Sequence, residues 1–101
     1  MLFRSWIFSD DHGRALETLP TEFQNQYVYI DDSSLTPVQV LYLLRFGNGY
    51  VIANSSFSWW GASLRADQAS KVVAPEPWFA GMPEPIDLIP ADWHREKAHL
   101  D

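Results

Sequence analysis

The chain of 101 residues contains no cysteine. That excludes disulfides, a thiolate zinc site and a thiol nucleophile, and it fits a reducing compartment such as the cytoplasm. Positive charge is scarce: seven Lys and Arg stand against thirteen Asp and Glu, for a net charge of −6. The basic residues are scattered singly, whereas a nucleic-acid surface needs them clustered, so no nucleic-acid partner is expected. No apolar run approaches the roughly 18 residues of a membrane span. The segment from Met1 to Phe8 is too short for the apolar region of a signal peptide and reads as a first strand. The expected location is cytoplasmic, with peripheral attachment at a membrane left open. His94 and His99 are five apart, off a shared helical face, and His12 is isolated. These three histidines make no metal set, and no metal is expected. There is no internal repeat and no low-complexity segment.

What is present is a globular composition, 47% hydrophobic and 15% aromatic, with room for one domain. Leu2 to Ser9 reads as a strand, and Arg14 to Leu19 as a two-turn helix stopped by Pro20. Tyr27 to Ile30 is a second strand, ending in Asp31-Asp32. A second helix begins near Pro37, tolerated in a first turn, and ends at Gly47-Asn48-Gly49. Tyr50 to Ala53 is a third strand, Phe57 to Ala66 a third helix and Ser70 to Ala74 a fourth strand. The order βαβαβαβ over residues 1–74 predicts an α/β fold: a Rossmann-like parallel sheet of about four strands with flanking helices. Five of the seven prolines fall between Pro75 and Pro90. Residues 75–101 therefore read as a Pro- and Trp-rich wrap of the same domain, with Trp78 and Trp93 pinning it down. Asp92 to His99 reads as a short terminal helix.

The centre of the chain is Val51-Ile52-Ala53-Asn54-Ser55-Ser56-Phe57-Ser58-Trp59-Trp60-Gly61. A β-branched strand end passes through small polar residues into a helix. Free N–H groups, helix dipole and hydroxyls then converge on one spot suited to an anion. Ser55, Ser56 and Ser58 can hold a diphosphate there, or they can simply cap the helix. Asn54 can touch a ligand hydroxyl, or serve only as a turn residue. Asp10 and Asp11, at the end of the first strand, can bind a ribose hydroxyl or the N–H edge of guanine; equally, they can cap the following helix. Asp31-Asp32 reads as a cap. Adjacent Trp59 and Trp60 point about 100° apart on a helix, so at most one faces the pocket while the other packs on the sheet.

Asn54-Ser55-Ser56-Phe57-Ser58-Trp59-Trp60-Gly61-Ala62 resembles the signature of the bacterial α-1,2-fucosyltransferases of glycosyltransferase family 11. Phe8-Ser9-Asp10-Asp11 resembles that family's strand-end motif. Ala74-Pro75 to Trp78-Phe79, with Asp87-Leu88-Ile89-Pro90 and Trp93, resembles its C-terminal tail. The three matches are collinear over nearly the whole chain.

The resemblance implies part of the C-terminal, donor-binding lobe of a two-lobed GT-B enzyme. Such enzymes transfer fucose from GDP-fucose to a galactoside hydroxyl in α-1,2 linkage, with inversion and without an obligatory metal. It implies donor contacts from Asp10, Asp11, Asn54, Ser55, Ser56, Phe57 and Ser58, with the sugar nucleotide as donor substrate rather than cofactor. The family's basic His-x-Arg-Arg-x-Asp motif and its acceptor lobe have no counterpart here, and no catalytic base is identified. Gly47-Asn48-Gly49 also stands where the family carries a Cys-Lys-His-like sequence, so a cation expected near the phosphates is missing. The chain is therefore expected to be inactive alone, or to need a partner chain supplying the missing lobe. The competing expectation is a non-enzymatic module that binds a sugar nucleotide or a partner. A phosphoacceptor receiver domain would need Asp where Asn54 stands and Lys where Ala74-Pro75 stands.

Overall fold

The computed structural model describes residues 5–18, 26–30 and 33–97. The expectations for Leu2 to Arg4, Leu19, Pro20, Asp31-Asp32 and His99 lie outside them. The chain divides into two compact units, Met1–Thr36 and Pro37–Asp101.

In the first unit, strand β1 (Ser5–Ile7) and strand β2 (Tyr27–Tyr29) flank helix α1 (His12–Thr18) in sequence. The strands pair in parallel, Ser5 opposite Tyr27 and Ile7 opposite Tyr29, and the Ile30 N–H extends the ladder to the Ile7 carbonyl at 3.1 Å. Parallel neighbours need a crossover of a dozen or more residues, which the segment carrying α1 supplies. Asp11 starts that helix: its Oδ1 accepts from the Arg14 N–H at 3.0 Å and its carbonyl from the Ala15 N–H at 3.0 Å.

The second unit contains helix α2 (Pro37–Leu44), strand β3 (Gly49–Val51), helix α3 (Ser56–Ser63), strand β4 (Lys71–Glu76) and strand β5 (His94–Lys97). The sheet order is β3-β4-β5, all parallel, with Val51 opposite Val73 and Val73 opposite His94. Along β4 the central strand alternates, and its inward residues Val72 and Ala74 join Ala62, Trp78 and Trp93 in the core. The parallel α/β character predicted from the sequence is present, as strands grouped into sheets of two and three.

Two differences from the sequence reading have clear causes. Strand β4 continues through Pro75, a residue that a central strand normally rejects. The Ile52 N–H reaches the Val73 carbonyl at 3.0 Å, so Val73 faces β3, and Pro75, two residues on, faces the same way. Strand β3 is paired only as far as Val73, so no N–H is needed at Pro75. The segment His94–Lys97, read as helix, is instead β5. Its polar sequence has no apolar alternation to announce a strand. Pairing with β4 and an inward Arg95 override local preference.

The helix ends explain where the connections turn. The Tyr50 hydroxyl donates to the Leu44 carbonyl and accepts from the Gly47 N–H at 3.0 Å, closing the end of α2. Helix α3 stops at Leu64, and the buried Arg65 then folds back. Its guanidinium donates to the carbonyls of Ala62, Gln68 and Ser70 at 2.9, 2.8 and 3.0 Å. Among the described residues, no helix is long and apolar enough to cross a membrane.

Candidate functional site

Strand β3 delivers Asn54, Ser55 and Ser56 to the carboxyl end of the three-stranded sheet, all three exposed. Ser55 is the N-cap of α3, with the extended backbone (φ −120, ψ 148) that caps adopt. Its Oγ accepts from the Ser58 N–H at 3.1 Å and donates to Ser58 Oγ at 2.8 Å, while its carbonyl accepts from the Trp59 N–H at 3.0 Å. The capping role is thus filled by Ser55. The N–H groups of Ser56 and Phe57 have no place in the intrahelical ladder and point out of the helix start. Together with the exposed Ser56 and the half-buried Ser58 they form a small cluster of donors at the positive end of the helix dipole.

Asn54 does not extend into this cluster. Its Nδ2 donates to the Trp78 carbonyl at 3.1 Å, tying the turn to the segment after β4. Of the paired tryptophans, Trp59 is the inward one. Its Nε1 donates to the Leu88 carbonyl at 2.8 Å, and its ring lies 6.3 Å from that of Trp93. Trp60 is about half exposed and meets Trp59 edge-on at 4.9 Å. Trp78 and Trp93 are both buried in the core of the unit, while Met82 and Ile86 between them are exposed.

The carbonyl tie from Asn54 leads to an ion pair that the sequence reading did not single out. Glu84 Oε1 accepts from the Trp78 N–H at 2.7 Å and from Arg95 Nη2 at 2.6 Å; Glu84 Oε2 accepts from Arg95 Nη1 at 3.2 Å. Arg95 Nη2 also donates to the Pro75 carbonyl at 2.7 Å. The Arg95 hydrogen bonds hold the Glu84 carboxyl below the usual carboxylate range, with the Trp78 N–H adding to the effect; Glu84 in turn raises Arg95. No periodicity marks either residue, because the pair forms between a proline-rich segment and a short polar strand.

Two clefts, of about 750 and 500 Å³, lie at the other edge of the sheet. The first is lined by Arg45, Asn48, Asp67 and Lys71 among others, the second by Lys71, Asp92 and His94. Gly47-Asn48-Gly49 belongs to the first cleft, at the amino end of β3. Gly47-Asn48-Gly49 and the Ser55–Ser58 turn thus lie at opposite ends of β3.

In the first unit, Asp11 is committed to capping α1 through one carboxylate oxygen, with Ser9 Oγ accepting from the Asp11 N–H at 3.1 Å. Asp10 is exposed beside it. Asp10 and Asp11 belong to one unit and Asn54 to Ser58 to the other. Among the described residues, no three His, Asp or Glu side chains gather to hold a metal ion.

Comparison with curated proteins finds glycosyltransferases. The chain is 36% identical over 75 residues to the O-antigen biosynthesis glycosyltransferase WbnK of Escherichia coli, covering 74% of this chain and 24% of that protein. It is 39% identical over 56 residues to an alpha-1,2-colitosyltransferase of Escherichia coli, covering 54% of this chain and 19% of the relative. The chain thus spans a quarter or less of the length of these relatives. No family model and no solved structure matches. In sequence, the chain is similar to part of a glycosyltransferase.

Proposed function

We propose that this chain is the donor-binding portion of a glycosyltransferase, resembling the GDP-fucose-binding half of a family 11 galactoside α-1,2-fucosyltransferase. Its Rossmann-like units would then belong to the C-terminal lobe of a GT-B enzyme. The observation that carries the reading is the Ser55-capped turn: a helix start with unused N–H groups, in a chain similar to glycosyltransferases. The second relative adds a sugar of the right kind, since colitose is fucose without its 3-hydroxyl.

In this reading the Ser56 and Phe57 N–H groups and the Ser56 and Ser58 hydroxyls receive the donor's diphosphate. That placement serves the reaction as well as binding. When the bond from the sugar to the diphosphate breaks, negative charge grows on the leaving phosphate, and preorganised donors with an aligned helix dipole stabilise it. No metal is then required for charge neutralisation at this turn. The acceptor hydroxyl needs a base within hydrogen-bond reach, and a polypeptide equivalent to the rest of the relatives' length would supply it together with the acceptor site.

A second reading is a sugar-nucleotide-binding module without transferase activity, which would use the same Ser55-capped turn. The first experiment is thermal unfolding of the purified chain with GDP-fucose, and with ADP-ribose as control. A ligand at about 100 times its dissociation constant stabilises by about 2.7 kcal/mol, a shift on the order of 10 °C for a chain this small. A shift with GDP-fucose alone supports the donor site, and transfer assays with and without the remaining polypeptide then separate enzyme from module. A sharp melt unmoved by GDP-fucose removes both readings for this chain.

A further inference from the structure

We propose that Glu84 and Arg95 are positioning residues for the Ser55–Ser58 turn, acting through the backbone of Trp78 and the side chain of Asn54. Their consequence for ligand binding rests on the donor reading of that turn; the mechanical link does not.

Trp78 is buried at 4% exposure, so its peptide groups cannot drift without disturbing the core. Both of its backbone polar groups are gripped by side chains. Glu84 Oε1 holds the N–H at 2.7 Å, and Asn54 Nδ2 holds onto the carbonyl at 3.1 Å. Glu84 is fixed in turn by the two-point contact with Arg95, which is anchored to the Pro75 carbonyl at the end of β4. The result is a continuous line from β5 through Arg95, Glu84, Trp78 and Asn54 to the residue preceding the α3 cap. Asn54 is joined by one peptide bond to Ser55, whose Oγ and carbonyl organise the first turn. A displacement of Trp78 therefore reaches the donor cluster within one residue. The Trp59–Leu88 bond at 2.8 Å ties α3 to the same connecting segment further along.

The pair is poorly arranged for stability alone. Arg95 Nε is buried without an acceptor, a cost that an apolar replacement would avoid. What the ion pair does supply is direction: a planar fork meeting a carboxylate at two points fixes the orientation of both groups. Preorganised donors around a leaving group need this kind of support behind them.

The test uses the full chain and two readouts. Amide hydrogen exchange is measured by NMR for Ser58 and Trp59, with the Ala66 amide as internal control, since it bonds to the Arg45 carbonyl away from the relay. Glu84→Ala should speed exchange at Ser58 and Trp59 by about tenfold or more relative to Ala66, as local opening requires. Asn54→Ala should do the same, and the double variant should add little to either single change. Equal acceleration at Ser58 and Ala66, or a change confined to Trp78, would overturn the proposal. If Glu84→Ala does not fold, Arg95→Lys, which retains the charge but loses the fork, is read by the same criteria. The second readout is titration with GDP-fucose. Wild-type binding that weakens about tenfold in the relay variants supports positioning, with coupling of the usual size. Wild-type binding unchanged in those variants refutes positioning while leaving the donor site. Absence of wild-type binding, with the exchange pattern intact, removes the donor reading and leaves the relay standing.

Discussion

Gly61 of α3 lies directly against Leu44 of α2. A Cβ built on Gly61 would stand 2.8 Å from Leu44 Cδ1, 3.4 Å from its Cβ and 3.6 Å from its Cγ. The whole side chain, and not only its tip, therefore occupies the space a methyl would take. This contact sets how closely the two helices approach, and it explains a glycine in the middle of a helix, where glycine otherwise costs about 1 kcal/mol relative to alanine.

Gly61→Ala should therefore give no stability gain despite better helix propensity. Overpacking of about 1–3 kcal/mol opposes a propensity gain of about 1 kcal/mol, so a net loss of about 1 kcal/mol is expected in urea unfolding. In a Leu44→Ala background the Cδ1 and Cγ obstruction is gone and only the Cβ contact at 3.4 Å remains, so the same change should be neutral or stabilise by up to about 1 kcal/mol. Identical effects in the two backgrounds would show that the helices do not meet through this pair.

Arg65 offers a contrast between a buried cation and its exposed partner. Its side chain is 4% exposed and donates to three carbonyls, while Asp92, 3.8 Å away, is 72% exposed. Asp92→Asn should change stability by less than about 0.5 kcal/mol, as for most exposed ion pairs. Arg65→Lys cannot reach three separated carbonyls with one ammonium and should cost about 3 kcal/mol or more. Chemical denaturation of the two variants side by side reads the difference.

Glu84 should carry part of the acid sensitivity. Arg95 lowers its folded-state pKa below the unfolded value, so its contribution is complete above the ordinary glutamate pKa of about 4.3. It is lost as pH falls through the depressed folded value. Unfolding free energy measured from pH 7 down to pH 3 should fall less steeply in Glu84→Gln than in the wild type. Arg95 remains charged throughout this range and adds no slope of its own. Parallel profiles would mean that the pair is not formed in solution.

The two halves of the second unit were unequally legible in the sequence. Helix α2, β3, α3 and the start of β4 follow from periodicity, from Pro37 and the glycines around Asn48, and from the cap-forming Asn54-Ser55-Ser56 run. Those signals are local, and the local structure obeys them. Strand β5 is different. His94-Arg95-Glu96-Lys97 carries no strand pattern and pairs only because β4 presents an open side and Arg95 reaches inward to Glu84 and Pro75. The site divides in the same way. The Ser55 cap is written in neighbouring residues, and so is the division of labour between Trp59 and Trp60. The support behind it, Glu84 and Arg95, depends on a contact between residues eleven apart across an irregular segment. No spacing rule relates them.

Ser55→Asp separates the structural and the ligand roles of the turn. Aspartate is as good an N-cap as serine, and its charge is favourable at a helix N-terminus by about 0.3–1 kcal/mol. The variant should therefore be at least as stable as the wild type in urea unfolding. Ser55→Ala, which removes the Oγ that accepts from Ser58, should lose about 1 kcal/mol. A diphosphate approaching the Ser56 and Phe57 N–H groups, however, would meet the new carboxylate at close range. Affinity for GDP-fucose should fall by at least about tenfold in Ser55→Asp, because like charges at such a distance cost more than about 1 kcal/mol even near a protein surface. The same variant should leave any ligand held at the amino-edge cleft, lined by Arg45 and Lys71, unaffected. A stable Ser55→Asp protein with undiminished GDP-fucose affinity would place the donor phosphates elsewhere and reduce the Ser55–Ser58 turn to a helix cap.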